Sequence, residues 1–176
     1  MPRLTLPVDP ARDHTRGPDD APVTLLEYGD FECPHCKAAA PIIQDVLAEL
    51  GDEVRFVYRH FPLTRTHPNA MQAAVAAEAA GAQGMFWEMH DMLFDNQDDL
   101  SVEALKGYGE KIGIPDMDRY RAALEDGHHL DKIEEDFRTG TMSGVNGTPT
   151  LYINGERFQV SWDKADLLGA LQEAAG

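Results

Sequence analysis

The segment Asp-Phe-Glu-Cys-Pro-His-Cys, residues 30–36, holds both cysteines of this 176-residue chain. Before it, residues 23–28 (Val-Thr-Leu-Leu-Glu-Tyr) form a short, mostly apolar run that predicts a buried strand. After it, residues 34–50 carry apolar side chains at helical spacing, and Gly51 follows as a stop signal, which predicts a helix. The two cysteines therefore lie at a junction between a strand and a helix.

The next part of the chain carries the signals of a second strand and then of several helices. Residues 54–59 (Val-Arg-Phe-Val-Tyr-Arg) predict a second strand, so strand, helix and strand make a βαβ unit with two parallel strands and a right-handed crossover. The sequence then becomes rich in alanine and in apolar side chains at helical spacing, which predicts a block of helices. These helices are expected at about 70–80, 85–93, 102–112, 117–124 and 130–137.

The C-terminal part of the sequence returns to strands. Asn154-Gly155, between residues 150–153 and 157–160, is the dipeptide most typical of a two-residue hairpin turn. A closing helix is expected at about 163–174. At the other end, the prolines of residues 1–19 predict an extended N-terminal arm. A chain of this length is able to bury a large core in one domain.

The charge of the chain excludes several classes of partner. Its 31 acidic side chains outnumber its 15 basic ones and give a formal net charge of −16. Nucleic acids and anionic membranes require a basic footprint, so neither is an expected partner. The N-terminus lacks the apolar run of a secretory signal. If Met1 is the native start, we expect a cytoplasmic protein; if a signal has been removed, we expect an exported one.

The spacing Cys33-Pro34-His35-Cys36 at the start of a helix favours redox chemistry. Free backbone N–H groups and the helix dipole at that end stabilise a thiolate on Cys33. Pro34 suits the first helical position because its missing N–H would have no partner there. Protonated His35 would add positive charge beside the sulfur. Cys36, one turn further along, is placed to attack a mixed disulfide on Cys33.

A cysteine pair at this spacing has two alternative roles, in a zinc site or as inert core residues. The pair could form half of a zinc site, but zinc requires four ligands, and neither a second CxxC nor a close histidine pair accompanies the motif. The pair could also be inert core cysteines, although the Pro-His between them at a strand–helix junction argues against it. We therefore expect a redox pair and no metal.

Two motifs carry a family resemblance. Cys33-Pro34-His35-Cys36 follows a strand, and Gly147-Thr148-Pro149-Thr150 precedes a hairpin, in the order that resembles the DsbA-like branch of the thioredoxin superfamily. The resemblance implies a single α/β domain with a thioredoxin fold, at about 20–62 and 147–175. A helical domain at about 63–143 would be inserted between the second and third strands. It also implies thiol–disulfide exchange with cysteine-containing protein substrates, a redox recycling partner and no bound cofactor.

The resemblance also assigns roles to residues. It implies a redox-active disulfide between the catalytic pair Cys33 and Cys36, supported by Pro34, His35, Glu27, Thr148 and Pro149. Pro149 would be a cis-proline facing the cysteines, with Thr148 before it. Glu27 would be the buried acid that manages the Cys36 proton, and its alternative role is that of an ordinary strand-end carboxylate.

The direction of exchange stays open at this point. Pro41 resembles the helix-kinking proline of thioredoxin and would bend the helix. Thr148 differs from the valine of the best-known DsbA. The CPHC motif favours an oxidant, whereas the missing signal favours a reducing compartment, where the pair would be mostly reduced. The alternative function is a redox-sensing or binding module, whose cysteine pair switches a partner surface without turnover.

The remaining candidate residues have structural explanations. We expect His60 to be a loop or partly buried histidine, with a place in the site wall as the alternative. His67 is expected at the start of a helix. The methionines 85, 89 and 92 lie at helical spacing, which predicts core packing rather than a peptide-binding patch. The acid-rich stretch 125–136 predicts a solvated helix face.

Overall fold

The computed structural model describes residues 2–176, in which one five-stranded sheet is surrounded by seven α-helices. The strands are β1 (His14–Arg16), β2 (Val23–Gly29), β3 (Val54–His60), β4 (Thr150–Ile153) and β5 (Glu156–Phe158). The helices are α1 (Pro34–Leu50), α2 (Ala70–Gly81), α3 (Phe86–Asp95), α4 (Val102–Ile112), α5 (Met117–Ala123), α6 (Leu130–Met142) and α7 (Lys164–Ala175). Within this part of the chain, no helix combines the length and apolar character needed to cross a membrane.

The sheet has the strand order β1-β3-β2-β4-β5. β2 and β3 run parallel and are joined through α1, whereas the other neighbouring strands pair antiparallel. The helices α2 to α6 lie between β3 and β4, which are the second and third strands of the core. The predicted fold class, an α/β thioredoxin fold with a helical insertion at this place, is confirmed.

The two faces of the sheet are covered differently. α1 and α7 pack on the face that carries Leu25, and the N-terminal arm covers the face that carries Leu26 and Tyr28. Successive side chains of a strand point to opposite faces. Glu27, between Leu26 and Tyr28, therefore points toward α1.

The N-terminal arm differs from the prediction of an extended segment over residues 1–19. His14–Arg16 form the edge strand β1, which pairs antiparallel with β3, and Asp13 is buried. Leu4 and Val8 pack against the sheet. The sequence carries no strand signal there because the segment is short and polar. Its backbone hydrogen bonds come from the edge of β3, which no local pattern reveals.

The predicted helices all form, and α6 differs most from its expected length. It ends at Met142 rather than at 137, because its last turns pack against the sheet. A Cβ added to Gly140 would come within 3.0 Å of the rings of Phe61 and Tyr28. The predicted core packing of the methionines is confirmed, since Met89 is fully buried and its two neighbours at 85 and 92 pack against the same core.

The prediction of a solvated face over residues 125–136 is wrong for its last residue. Asp136 is fully buried and accepts hydrogen bonds from Arg12, from Lys132 Nζ at 3.0 Å and from the backbone N–H of His60 at 3.0 Å. Two of these donors come from distant parts of the chain. A local charge pattern does not contain that information.

Candidate active site

The strand–helix junction places Cys33 at the N-cap of α1, with extended dihedrals (φ −74°, ψ 123°). Pro34 follows at the first helical position, as predicted, and the backbone N–H of Lys37 donates to the Cys33 carbonyl at 3.1 Å. α1 continues through Pro41, although that residue has no N–H to contribute to the helix. Cys33 therefore lies directly over the free backbone N–H groups of the first helical turn.

The structure buries both cysteines, and both are free thiols. Cys33 is 4% exposed and Cys36 is 1% exposed. Both cysteines are therefore largely shielded from solvent, Cys36 slightly more than Cys33. The difference between the two sulfurs is one of protonation.

The pKa of Cys33 is lowered to about 5, mainly because the Cys36 thiol donates a hydrogen bond to its sulfur. Burial opposes this lowering, and the backbone N–H groups of Cys36 and His35 add to it. The His35 side chain itself is exposed. The predicted contribution of the helix start is thus present, whereas the leading cause is the partner thiol.

The other thiol behaves in the opposite way. Burial, the hydrogen bond to Cys33 and the nearby charge of Glu27 raise the pKa of Cys36 well above its usual value. Near neutral pH the pair is therefore one thiolate and one thiol. Cys36 must lose a proton before it attacks a mixed disulfide, because the thiolate is the nucleophile.

Glu27 is the nearby group able to accept that proton. It is 2% exposed on β2 and faces α1. Burial, followed by the negative charge of Cys33, raises the pKa of its carboxyl to about 8. A carboxyl that ionises near neutral pH is suited to proton transfer, because it gives and takes a proton without a large driving force. The site geometry is compatible with the role that the resemblance implies for Glu27.

The loop before β4 lies against the Cys33 sulfur. The Thr148–Pro149 peptide bond is cis, as predicted. The Cys33 sulfur lies 3.5 Å from the Thr148 carbonyl oxygen. A groove of about 410 Å³ begins at Pro149 and runs along the edge strand β5 to Trp162. The groove therefore begins one residue after Thr148, whose carbonyl oxygen lies beside the Cys33 sulfur.

Two side chains that sequence reasoning missed hold the active-site turn. Gln97, between α3 and α4, donates through Nε2 to the carbonyls of Phe31 and Cys33, both at 2.8 Å. Asp30 lies 2.8 Å from Nδ1 of His67, which precedes α2 rather than starting it. These three contacts connect the turn to the helical insertion. The two Gln97 hydrogen bonds span 66 and 64 residues and the Asp30–His67 contact spans 37, so no local motif signals them.

Tyr58 packs in the same core cluster as Cys33 and Cys36, and His60 lies beside Tyr58. His60 is fully buried at the end of β3, not in a loop, and its Nε2 lies 2.8 Å from Glu78. The Tyr58 ring stacks on Phe31 at a centroid distance of 5.1 Å. Across residues 2–176, no three His, Cys, Asp or Glu side chains are grouped as metal ligands.

The sequence of this chain matches known proteins over nearly its whole length. A family model described as Thioredoxin matches residues 10–173. A protein of Salinispora arenicola named Na(+)/H(+) antiporter NhaA 1 is 48% identical over 171 residues, which are 97% of this chain and 26% of that protein. The chain thus spans about a quarter of the length of the curated relatives it matches.

The structure is similar to several solved structures. BdbD from Bacillus subtilis has a TM-score of 0.85 at 21% identity, over 95% of both chains. DsbA2 from Pseudomonas aeruginosa has a TM-score of 0.73 at 28% identity, over 96% of this chain and 95% of that one. Together with the family match, these likenesses agree with the CxxC at the start of α1. The chain belongs to the thioredoxin family and has the fold of its DsbA-like thiol–disulfide oxidoreductases.

Proposed function

We propose that this protein catalyses thiol–disulfide exchange with cysteine-containing protein substrates through Cys33 and Cys36. The observation that carries the proposal is the place of the pair at the start of α1, with Cys33 at the N-cap and its sulfur 3.5 Å from the Thr148 carbonyl oxygen. The pKa of Cys33 is lowered to about 5 and that of Cys36 is raised. A thiolate with a low pKa is a good leaving group, and the protonated Cys36 thiol stabilises it through a hydrogen bond.

In the oxidising direction the protein begins with a Cys33–Cys36 disulfide. A substrate thiolate attacks the Cys33 sulfur, the sulfur–sulfur bond breaks, and Cys36 leaves with the electron pair and takes a proton. A second substrate thiolate then attacks the substrate sulfur of the mixed disulfide and releases the Cys33 thiolate. Two electrons pass from substrate to protein, and the substrate gains one disulfide. In the reducing direction the Cys33 thiolate attacks, and Cys36 resolves the mixed disulfide.

We propose the oxidising direction for the physiological reaction. The low pKa of Cys33 supports it, because stabilising the thiolate favours the reduced form and so makes the disulfide a stronger oxidant. A reduction potential measured against glutathione should lie above about −200 mV, in the range of oxidants and isomerases. A potential at or below about −270 mV, that of thioredoxin, would assign the reducing direction instead.

The exchange reaction is tested with a reduced two-cysteine peptide whose fluorescence changes when its disulfide forms. The disulfide form of the protein should oxidise this peptide with turnover in a glutathione buffer. Cys36→Ser should accumulate a mixed disulfide through Cys33, detectable by mass, and Cys33→Ser should form none. Absence of turnover by the unaltered protein, with a pair that still equilibrates with glutathione, would contradict the proposal.

A second candidate function is a redox-sensing module that acts on a membrane antiporter. The observation that favours it is the 48% identity to a segment of a protein named as a Na(+)/H(+) antiporter. In this role the cysteine pair changes a partner surface without turnover. Binding of the reduced and the disulfide forms to that antiporter in detergent micelles should then differ by at least about tenfold, which corresponds to about 1.4 kcal/mol. Equal binding of the two forms would contradict this second candidate.

A further inference from the structure

Two buried polar atoms face α1 from adjacent strands without hydrogen bonds. Within residues 2–176, no partner reaches Oε2 of Glu27 or the hydroxyl of Tyr58. Glu27 on β2 lies directly opposite Tyr58 on β3 in the parallel register, so the two side chains share a face of the sheet. We call Glu27 and Tyr58 the open pair. Buried polar groups are nearly always hydrogen-bonded, so two open ones side by side require an explanation.

The absence of a side chain at Gly29 leaves the space in which the two oxygens of the open pair approach each other. A Cβ added at this position would lie 2.7 Å from Glu27 Oε2 and 2.7 Å from the Tyr58 hydroxyl oxygen. The two oxygens are therefore separated by no more than twice that distance. The terminal torsion of a glutamate side chain has a broad energy minimum, so a small rotation changes this separation at little cost. Any residue other than glycine would place a carbon where the two oxygens approach.

The surroundings of the open pair belong to the active site. The titratable groups that face it are Cys33 and Cys36 on α1, Asp30 after β2, His60 on β3 and His90 on α3. Burial, followed by the charge of Glu27, raises the pKa of Tyr58 well above its usual value. The hydroxyl therefore keeps its proton throughout the range in which Glu27 titrates, and remains a hydrogen-bond donor.

We propose that Tyr58 is a positioning residue for the exchange reaction, whose hydroxyl donates a hydrogen bond to the Glu27 carboxylate and holds it ready to take the Cys36 proton. In the resolving step the Cys36 thiol gives its proton to Glu27, and the resulting thiolate attacks the Cys33 sulfur of the mixed disulfide. The substrate leaves as a thiolate. In the opposite direction the proton returns from Glu27 to Cys36. Tyr58 keeps its own proton in both directions.

This inference rests on the proposed function, and it makes a separate prediction about Glu27. A hydrogen bond to the ionised form favours that form, so Tyr58 holds the pKa of Glu27 below the value that burial alone would set. Tyr58→Phe keeps the ring stacked on Phe31 and removes only the hydroxyl. The pKa of Glu27 should then rise by about one unit, and the resolving step at neutral pH should slow about tenfold.

The first experiment titrates Glu27 in the reduced protein by infrared difference spectroscopy, with Glu27→Gln identifying its carboxyl band. The midpoint should lie near 8 in Tyr58→Phe, where only burial and the Cys33 charge act, and about one pH unit lower in the unaltered protein. The matched control is Tyr152→Phe, which removes a buried hydroxyl that donates to the Ser143 carbonyl at 2.6 Å on the other face of the sheet. This control should leave the Glu27 midpoint unchanged. An unchanged midpoint in Tyr58→Phe would overturn the inference.

A second measurement needs no change at Tyr58. In the unaltered protein labelled with carbon-13 tyrosine, the Cζ resonance of Tyr58 should shift with the same midpoint as the Glu27 carboxyl band, and Glu27→Gln should abolish the shift. A Tyr58 resonance that stays constant while Glu27 ionises would also overturn the inference. Both titrations are independent of turnover, so failure of the exchange assay refutes the proposed function without deciding the role of Tyr58.

Discussion

The two faces of the β2–β3 strand pair differ in the hydrogen bonding of their buried polar residues. Glu27 and Tyr58 face α1, and none of the residues from 2 to 176 hydrogen-bonds to Glu27 Oε2 or to the Tyr58 hydroxyl. The next residues along the same strands, Tyr28 and Arg59, also lie opposite each other but face the N-terminal arm. Arg59 Nη1 donates to the Tyr28 hydroxyl at 3.0 Å, and Arg59 forms an ion pair with Asp13.

The arm face is a closed network, by which we mean Arg59, Asp13 and Tyr28. Arg59 donates to both carboxylate oxygens of Asp13 at 2.9 Å, and its remaining N–H groups reach the carbonyls of Leu6 at 2.9 Å and Pro7 at 3.2 Å. A buried charge is tolerated only when it is paired and hydrogen-bonded in this way. The closed network thus fixes the arm to the sheet, whereas the role proposed for the open pair requires Glu27 to gain and lose a proton.

The largest expected effect comes from breaking the closed network. Asp13→Ala leaves the Arg59 charge buried without its carboxylate and should lower the free energy of unfolding by about 3–5 kcal/mol. Denaturant unfolding measures this change. The exchange rate of the folded fraction should stay the same, since Asp13 lies on the opposite face from the cysteines. A loss below about 1 kcal/mol would show that the network is not closed in solution.

At the open pair, a substitution should raise the free energy of unfolding rather than lower it. The pKa of Glu27 is raised from 4.5 to about 8, so the protein gives up stability as pH rises from about 4.5 and approaches 8. Glu27→Gln removes this loss and should stabilise the reduced protein by about 3 kcal/mol at pH 7, but by under about 1 kcal/mol at pH 5.

Thermal melts of the Glu27→Gln protein provide the measurement. For a chain of this size the expected gain corresponds to a melting temperature about 6–12 °C higher at pH 7. The matched control is Glu53→Gln at the exposed residue just before β3, which should show no such growth of stability with pH. A Glu27→Gln protein that is less stable at pH 7 than at pH 5, relative to the unaltered protein, would contradict the raised pKa.

The thiolate on the same face should make stability depend on oxidation state. Cys33 ionises near pH 5 when folded and near 9.0 when unfolded, so its contribution is full above pH 9 and is lost as pH falls to 5. The reduced form should therefore gain about 2 kcal/mol over the disulfide form between pH 5 and pH 7, after allowance for solvent screening. The entropy effect of a short disulfide loop is the same at both pH values and cancels.

Paired melts with and without reductant at these two pH values test this difference. The melting temperature of the reduced form, relative to the disulfide form, should rise by about 4–8 °C from pH 5 to pH 7. Cys33→Ser forms neither the thiolate nor the disulfide, so its melting temperature should be the same with and without reductant at each pH. A constant difference between the two forms would mean that the Cys33 pKa is ordinary.

The smallest expected effect compares two tyrosines on neighbouring strands. Tyr28→Phe removes a hydroxyl that pairs with Arg59 and Thr139, and should cost about 1–3 kcal/mol. Tyr58→Phe removes a hydroxyl of the open pair and should change stability by under about 0.5 kcal/mol at pH 6, where Glu27 is protonated. Urea unfolding of both variants at this pH measures the contrast. Equal losses would show that Tyr58 has a hydrogen-bond partner in solution.

The architecture and the place of the cysteine pair were predictable because their signals are local. The strand before the CPHC motif, the helix after it and the Asn154-Gly155 turn each depend on residues adjacent in the sequence. The Gly-Thr-Pro-Thr segment added the place of Pro149 opposite the cysteines. The fold class followed from the order of these elements.

The supporting contacts were not predictable, because they join distant residues. Arg59 ends an apolar strand and is buried only because Asp13, 46 residues away, pairs with it. Tyr58 has no feature in the sequence that distinguishes it from a packing residue. Its place beside Glu27 follows from the register of β2 and β3. Gln97 gives no signal either, since its partners are two backbone carbonyls.

The central claim is that the reduced protein holds a Cys33 thiolate beside a protonated Cys36. Absorbance of the thiolate at about 240 nm, followed from about pH 3 to pH 9, measures this directly, and mass analysis after alkylation at pH 6 identifies the sulfur. We expect one thiolate with a midpoint near 5, which should be absent in Cys33→Ser, and we expect alkylation at Cys33 first. A protein that shows no thiolate below about pH 7.5, or whose Cys36 is alkylated first, would contradict it.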